Sequence, residues 1–343
     1  MQEIKFSDIL AAAPDNLAIM DALGKCFQQI KNHEKIKVSI SGGADSDIVL
    51  DMIMRCGGAE KAHFVFFNTG LEYKATKAQL RYLEERYGVQ IETIPPVIPI
   101  PKCVRDYGVP FWSKYVSEMI QRLQKHGFQW EDEPLEVLEE RYPDCKSALR
   151  WWCNAYAKDN GDPSRFNIAW SPYLKEFMME NPPTFKISAK CCHYAKKEPA
   201  RKYAKQGRFD MEVIGVRKAE GGQRAKIKTC FTSSTAEPDM YRPIFWFTDA
   251  DKAEYDAHYG LQHSDCYKVW GMTRTGCAGC PFGKEFEDEL ALAAKYEPNF
   301  HKAMIKVFGQ SYEYTRQYMA YREKMKSTTL PPGWEQLELA LPS

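Results

Sequence analysis

The short, β-branched stretch 36–40 leads without a gap into Ser41-Gly42-Gly43-Ala44-Asp45-Ser46, after which Ile48, Val49, Met52 and Ile53 recur at helical spacing. A buried strand, a glycine turn and an amphipathic helix in this order leave the backbone little choice. The turn gathers free N–H groups and the positive end of a helix dipole around one point, and the glycines let an anion come close. Phosphate is the expected occupant. The alternation repeats: residues 63–68 read as a strand, 73–87 as a helix and 89–94 as a strand. This is the signature of an α/β fold with a Rossmann-like parallel sheet and covering helices.

Around this unit the chain divides into further stretches. Residues 1–30 read as a helical lead-in, with Leu10, Leu17, Met20 and Leu23 on one apolar face. Residues 31–255 form the nucleotide-binding α/β domain, interrupted at about 95–183 by a proline-punctuated, largely helical insertion that includes helices at 114–126 and 135–141. A helix near 191–206 and a strand at 211–216 restore the alternation, and residues 256–343 read as a helical C-terminal region. No stretch of about 18 apolar residues occurs, and the start lacks a basic segment followed by an apolar one, so a soluble cytoplasmic protein without membrane association is expected.

Eleven cysteines are an odd number in a long chain with no export signal, which favours reduced thiols or metal ligands over disulfides. Cys191-Cys192 and Cys277-Ala278-Gly279-Cys280 form two pairs. Four thiolates suit a [4Fe-4S] cluster, in which each iron takes one external sulfur. A four-cysteine zinc site is the alternative, although adjacent cysteines fit the usual spaced zinc knuckle poorly. Cys266 is a candidate to replace one member, and Cys26, Cys56, Cys103 and Cys230 read as small apolar side chains. A net charge of +1 excludes a protein-wide field for nucleic acid, yet residues 186–228 hold thirteen Lys or Arg against four Asp or Glu. Trp151-Trp152 beside Arg150 is read mainly as core, with base stacking as the alternative.

The hexad at 41–46 resembles the PP-loop of ATP pyrophosphatases, which split ATP between its α and β phosphates, and it lacks the Gly-Lys-Ser/Thr ending of a Walker loop. Asn68-Thr69-Gly70 is similar to the Asp-Thr-Gly segment of sulfonucleotide reductases, with Asn in place of Asp. The segment Cys191-Cys192-His193-Tyr194-Ala195-Lys196-Lys197-Glu198-Pro199 resembles the Cys-Cys-X-X-Arg-Lys-X-X-Pro signature of adenylyl sulfate reductases, matching at Lys196 and Pro199 and departing at Ala195. Gly215-Val216-Arg217 with Arg224 is similar to the family's oxyanion-binding Gly-(Ile/Val)-Arg segment, and residues 241–251 to its Pro-(aliphatic)-X-X-Trp-Thr-X-X-Asp segment. On these motifs the chain resembles the phosphoadenylyl sulfate (PAPS) reductase and adenine nucleotide alpha hydrolase superfamily.

The resemblance implies an adenine nucleotide alpha hydrolase-like fold and an adenine nucleotide bound by Ser41, Gly42, Gly43, Asp45, Ser46, Asn68, Thr69, Gly70, Arg217 and Arg224. It implies a [4Fe-4S] cluster on Cys191, Cys192, Cys277 and Cys280, and catalytic roles for Asp45, Lys196 and Arg217. The reductases end in a Glu-Cys-Gly-X-His type tail whose thiolate attacks sulfate sulfur, whereas no cysteine follows Cys280 here. The reductases have also generally lost the intact hexad that this chain keeps. Both departures favour ATP with Mg²⁺, adenylation of an acceptor with pyrophosphate release, and sulfur transfer from a donor, with Cys153 and Cys266 as candidate sulfur carriers. A nucleic acid is weighed slightly above a small molecule as acceptor. The alternatives are a sulfonucleotide reductase using a non-standard thiol such as Cys230, and a non-catalytic nucleotide-binding or redox-sensing subunit.

Overall fold

The computed structural model describes residues 4–222, 224–273, 275–282 and 285–329. The tail compared above with the reductase ending lies outside the described residues. The chain divides into two compact units, the first made of Met1–Ile100, Cys192–Ala278 and Glu289–Phe300, the second of Pro101–Cys191, Gly279–Asp288 and His301–Ser343.

The first unit holds one six-stranded sheet in the order β3-β2-β1-β4-β6-β5, with β1 at Ile36–Ser39, β2 at Ala62–Phe67, β3 at Ile91–Ile94, β4 at Met211–Ile214, β5 at Phe231–Thr232 and β6 at Asp239–Tyr241. All neighbours are parallel except β5 and β6. The parallel strands bury near-continuous apolar runs such as Phe64 and Val65 without alternation. One polar pair interrupts the core. Lys37 on β1 faces Glu212 on β4 in register, and their side chains meet at 2.7 Å, so the buried ammonium keeps a partner.

The chain runs from β1 outward to β2 and β3, then returns to place β4 on the other side of β1. The order therefore reverses at β1, and the crevice beyond the carboxyl end of such a strand is where open α/β sheets bind ligands. The helix Ala44–Arg55 leaves from that end and buries Ile48, Val49, Leu50, Met52 and Ile53. Its Asp51 is fully buried and is satisfied by Arg55, by Tyr87 at 2.7 Å and by Tyr255 at 2.6 Å.

The amino-terminal segment is helical as expected, but its apolar face differs. Pro14 and Asn16 separate the helices Phe6–Ala11 and Leu17–Asn32, and Asn16 caps the second by accepting from Ala18 and Ile19. The break puts Leu10 on a different helix, and Leu17, in the first turn, is 84% exposed. The buried face is Ile19, Ala22, Leu23, Cys26 and Ile30.

The second unit has its own aromatic-rich core around Phe111, Leu123, Trp151, Trp152, Phe177 and Tyr318. Trp151 and Trp152 are buried there, and Trp152 Nε1 donates to the carbonyl of Glu131, so neither offers a free face to a base. Gly108 is required for this unit's entry: its φ is +110°, and a Cβ would stand 2.3 Å from the carbonyl oxygen of Lys186, beside the Val109–Ile187 bridge. Among the described residues no helix is long and apolar enough to cross a membrane.

Candidate functional site

The loop 41–46 closes on itself through its serines. Ser46 Oγ donates to the carbonyl of Gly43 at 2.7 Å and accepts from the N–H of Ser41 at 3.2 Å, while Gly43 N donates to Ser41 Oγ at 3.3 Å. Gly42 adopts φ +70°, and Gly43 caps the helix Ala44–Arg55 with no side-chain bond to its first amides. Those amides are the groups on which the expectation of a bound anion rests. Gly215, after β4, leaves room for the loop, since a Cβ there would stand 3.1 Å from the backbone of Asp45 and Ser46.

Asp45 is held by two cations, Lys252 Nζ at 2.8 Å and Arg217 Nε at 3.1 Å. Burial pushes its carboxyl upward, but Lys252 and Arg217 outweigh that and hold it below the ordinary carboxylate range. Arg217 also reaches Asp249 at 2.7 Å. The structure thus joins Arg217 to the loop through Asp45, and adds Lys252 and Asp249. Arg224 lies on the exposed turn Arg224–Lys226, paired with Glu220. Asn68 uses its side-chain oxygen to accept from Gly70 N at 2.8 Å, an Asx turn that shapes the segment locally.

That segment brings a carboxylate after all. Glu72 is buried, and its Oε1 accepts from both the N–H of Thr69 at 3.1 Å and its hydroxyl at 2.6 Å. The next carbonyl back, that of Leu71, accepts from Ala278 N at 3.2 Å, which fastens the turn to the residue after Cys277. Lys196 joins this group. Burial disfavours its ammonium, yet Cys277, to which it hydrogen-bonds, together with Glu72 and Cys192, raises its pKa above the lysine norm. The residue is exposed.

Lys196 lies in the single helical run 190–207, whose middle, His193–Lys197, widens to a π-turn. Pro199 lacks the amide that would bond the carbonyl of Ala195, and the wider turn accommodates the loss. Burial lifts the Cys277 thiol while Lys196 opposes it, and the net shift is upward. Such a thiol is poised for deprotonation by a metal rather than for free nucleophilic attack.

The donor chemistry fits an iron–sulfur cluster: Cys192 and Cys277 flank one ammonium, Cys191 is one peptide bond from Cys192, and Gly279 turns the second pair with φ +63°. Among the described residues no group of three or more His, Cys, Asp or Glu side chains converges as ligands of a single ion. Cys266 is fully buried, with its thiol pushed up to about 11 by burial, and it bonds Ser264 and Thr76. Burial also raises the Cys153 thiol, against Lys175 and with Asp132, Glu136 and Glu139. Both are poor sulfur carriers.

Sequence reasoning missed Glu72 and Lys252. Glu72 stands within the turn already singled out, and Lys252 follows the Thr248–Asp251 capping box that starts the helix Asp249–Tyr259.

The chain was compared with known proteins. It is 29% identical over 99 residues to adenosine 5'-phosphosulfate reductase 2 of Bacillus subtilis (strain 168), a match that takes in 27% of this chain and spans 41% of that relative's length. Among solved structures it is similar to the phosphate complex of a phosphoadenylyl-sulfate reductase from Candida auris, with TM-score 0.41, 10% identity, and coverage of 81% of this chain and 96% of the other. It is also similar to the U34-tRNA thiolase NcsA from Methanococcus maripaludis with its [4Fe-4S] cluster, with TM-score 0.34, 10% identity, and coverage of 87% and 79%. The model of the phosphoadenosine phosphosulfate reductase domain matches residues 35–128 and 173–282, which include the loop, the turn with Glu72, both cysteine pairs, Lys196 and Arg217. With more than half of its residues in that match, the chain belongs to the phosphoadenosine phosphosulfate reductase family.

Proposed function

We propose that this chain is an iron–sulfur enzyme that binds ATP in the loop 41–46, adenylates an acceptor with release of pyrophosphate and supports sulfur transfer to it. The observation that carries the reading is the intact hexad at the strand-order reversal, in the same unit as Lys196, Cys192 and Cys277. The loop amides and Arg217 would neutralise the phosphates, with Mg²⁺ on the leaving pyrophosphate. An acceptor oxygen attacks the α phosphorus, the bond to the pyrophosphate oxygen breaks, and the acceptor is left as an adenylate. A donor at the oxidation level of hydrosulfide then displaces AMP, so the exchange of oxygen for sulfur needs no reductant.

Cys191, Cys192, Cys277 and Cys280 would hold a [4Fe-4S] cluster, which supplies a place where sulfur is bound or passed on. Lys196 supplies positive charge next to it and toward the substrate. A nucleic-acid acceptor is favoured by the exposed Lys218, Arg224, Lys226 and Lys228 of the basic segment. Holo-protein purified without oxygen should contain iron and sulfide and release pyrophosphate from ATP with Mg²⁺ once the acceptor is supplied. Stoichiometric zinc without sulfide, or no pyrophosphate with any tRNA or DNA pool, would overturn the reading.

A further inference from the structure

At the amino end of the helix Ala44–Arg55, the phenol oxygen of Tyr267 takes a place that the loop chemistry suits to an anion. It accepts from the backbone N–H of Thr275 at 3.1 Å, and it lies 2.8 Å from Thr275 Oγ1 in a further hydrogen bond. Gly43 makes the approach feasible. A Cβ there would stand 3.1 Å from the Tyr267 oxygen and 3.3 Å from Thr275 Oγ1. An N–H group and a hydroxyl around one oxygen, beside the first turn of a helix twelve residues long, form an oxyanion cradle. A neutral phenol gains little from that field, whereas a phosphate oxygen carries the charge the cradle is built for.

We propose that Thr275 is a further ligand of the nucleotide phosphate, and that Tyr267 holds the phosphate oxygen's place until nucleotide arrives. On entry the phosphate displaces the phenol, and the N–H and hydroxyl of Thr275 pass from Tyr267 to the phosphate. Thr275 is two residues before Cys277, which hydrogen-bonds Lys196, so occupancy of the loop is transmitted along three residues to the cysteine pair. The inference rests on the nucleotide reading above and adds to it a residue outside the hexad and a physical link between nucleotide and cysteines.

The two hydroxyls give opposite expectations. Tyr267→Phe keeps the ring and removes the competing oxygen, so holo-protein should bind ATP about fivefold more tightly by calorimetry, the worth of about one hydrogen bond. Thr275→Val should bind about fivefold more weakly, and Thr275→Ser should restore the parent affinity. A structural role alone would not move the second readout: ATP should perturb the electron paramagnetic resonance spectrum of the reduced parent and of Thr275→Ser, but not that of Thr275→Val at equal iron content. Weaker or unchanged ATP binding by Tyr267→Phe, or parent-like binding by Thr275→Val, would overturn the inference while leaving the nucleotide reading in place. No ATP binding by the parent would overturn both.

Discussion

Two side chains bear most of the proposed chemistry and can be tested singly. Cys277 sits against Lys196 with its thiol raised by burial, so only coordination or a strong base should hold it as thiolate. Cys277→Ser should therefore lose most bound iron and sulfide, read by metal analysis and by absorbance near ~400 nm, while far-ultraviolet circular dichroism stays that of the parent. Asp45 is the charged residue of the hexad and links Arg217 and Lys252. Asp45→Ala should cut pyrophosphate release by about a hundredfold or more, the scale of losing a preorganised electrostatic contact, and cost about 1–2 kcal/mol of stability because the pair is only partly buried. Parent-like turnover would mean that the loop is not the site. At this scale the sequence singles out residues whose type and spacing are local, Asp45 and its serines, Lys196 and the cysteine pairs, and their roles are those proposed above. Lys252 carried no such signal, because its partner Asp45 lies 207 residues away, and Glu72, whose partner Thr69 is near in the chain, was missed because its burial is set by the fold.

Elements were legible where periodicity and turn chemistry agreed. The strands around the loop and the helices Lys114–Lys125 and Leu135–Arg141 follow their apolar spacing to within a residue or two. The stretch after Thr229 did not, for its polar composition hid the edge strand β5, which pairs with β6 through backbone groups that side chains do not report. One tie between elements governs a pH dependence. His263 lies 2.9 Å from Asp47, on the loop helix, and 2.9 Å from Asp256, on the helix Asp249–Tyr259. Burial works against its charge, but Asp256 and Asp47 outweigh it and raise its pKa to about 9. Because the folded value lies above the unfolded one, the stabilisation is fully present below about pH 6.5 and is lost as pH rises through about 9. Denaturant titrations should show about 2 kcal/mol lost across that window, and His263→Gln should flatten the dependence. An unchanged slope in that variant would place the titrating group elsewhere.

The whole molecule decides which reaction the site supports. That the sheet is parallel followed from the sequence; that its order reverses at β1 did not, because which strand lies beside which is set by long-range packing rather than by any local pattern. The order bears directly on the reductase alternative, which needs a thiolate able to reach the nucleotide. Cys230 is the non-standard thiol that alternative names. In the structure its carbonyl accepts from Arg242 N at 2.8 Å, and the residue leads straight into β5, the edge strand, third in line from β1. At about 4.8 Å per strand, that separates it from the strand bearing the loop by about 14 Å, a gap that the reductase alternative would have to bridge. Supplied in turn with adenylyl sulfate, phosphoadenylyl sulfate and ATP under anaerobic conditions, the holo-enzyme should release pyrophosphate from ATP, with stimulation by a nucleic acid, and no sulfite at a catalytic rate from either sulfonucleotide. Sulfite formed with turnover and abolished by Cys230→Ser would show that the edge strand opens, and would return the chain to sulfate reduction.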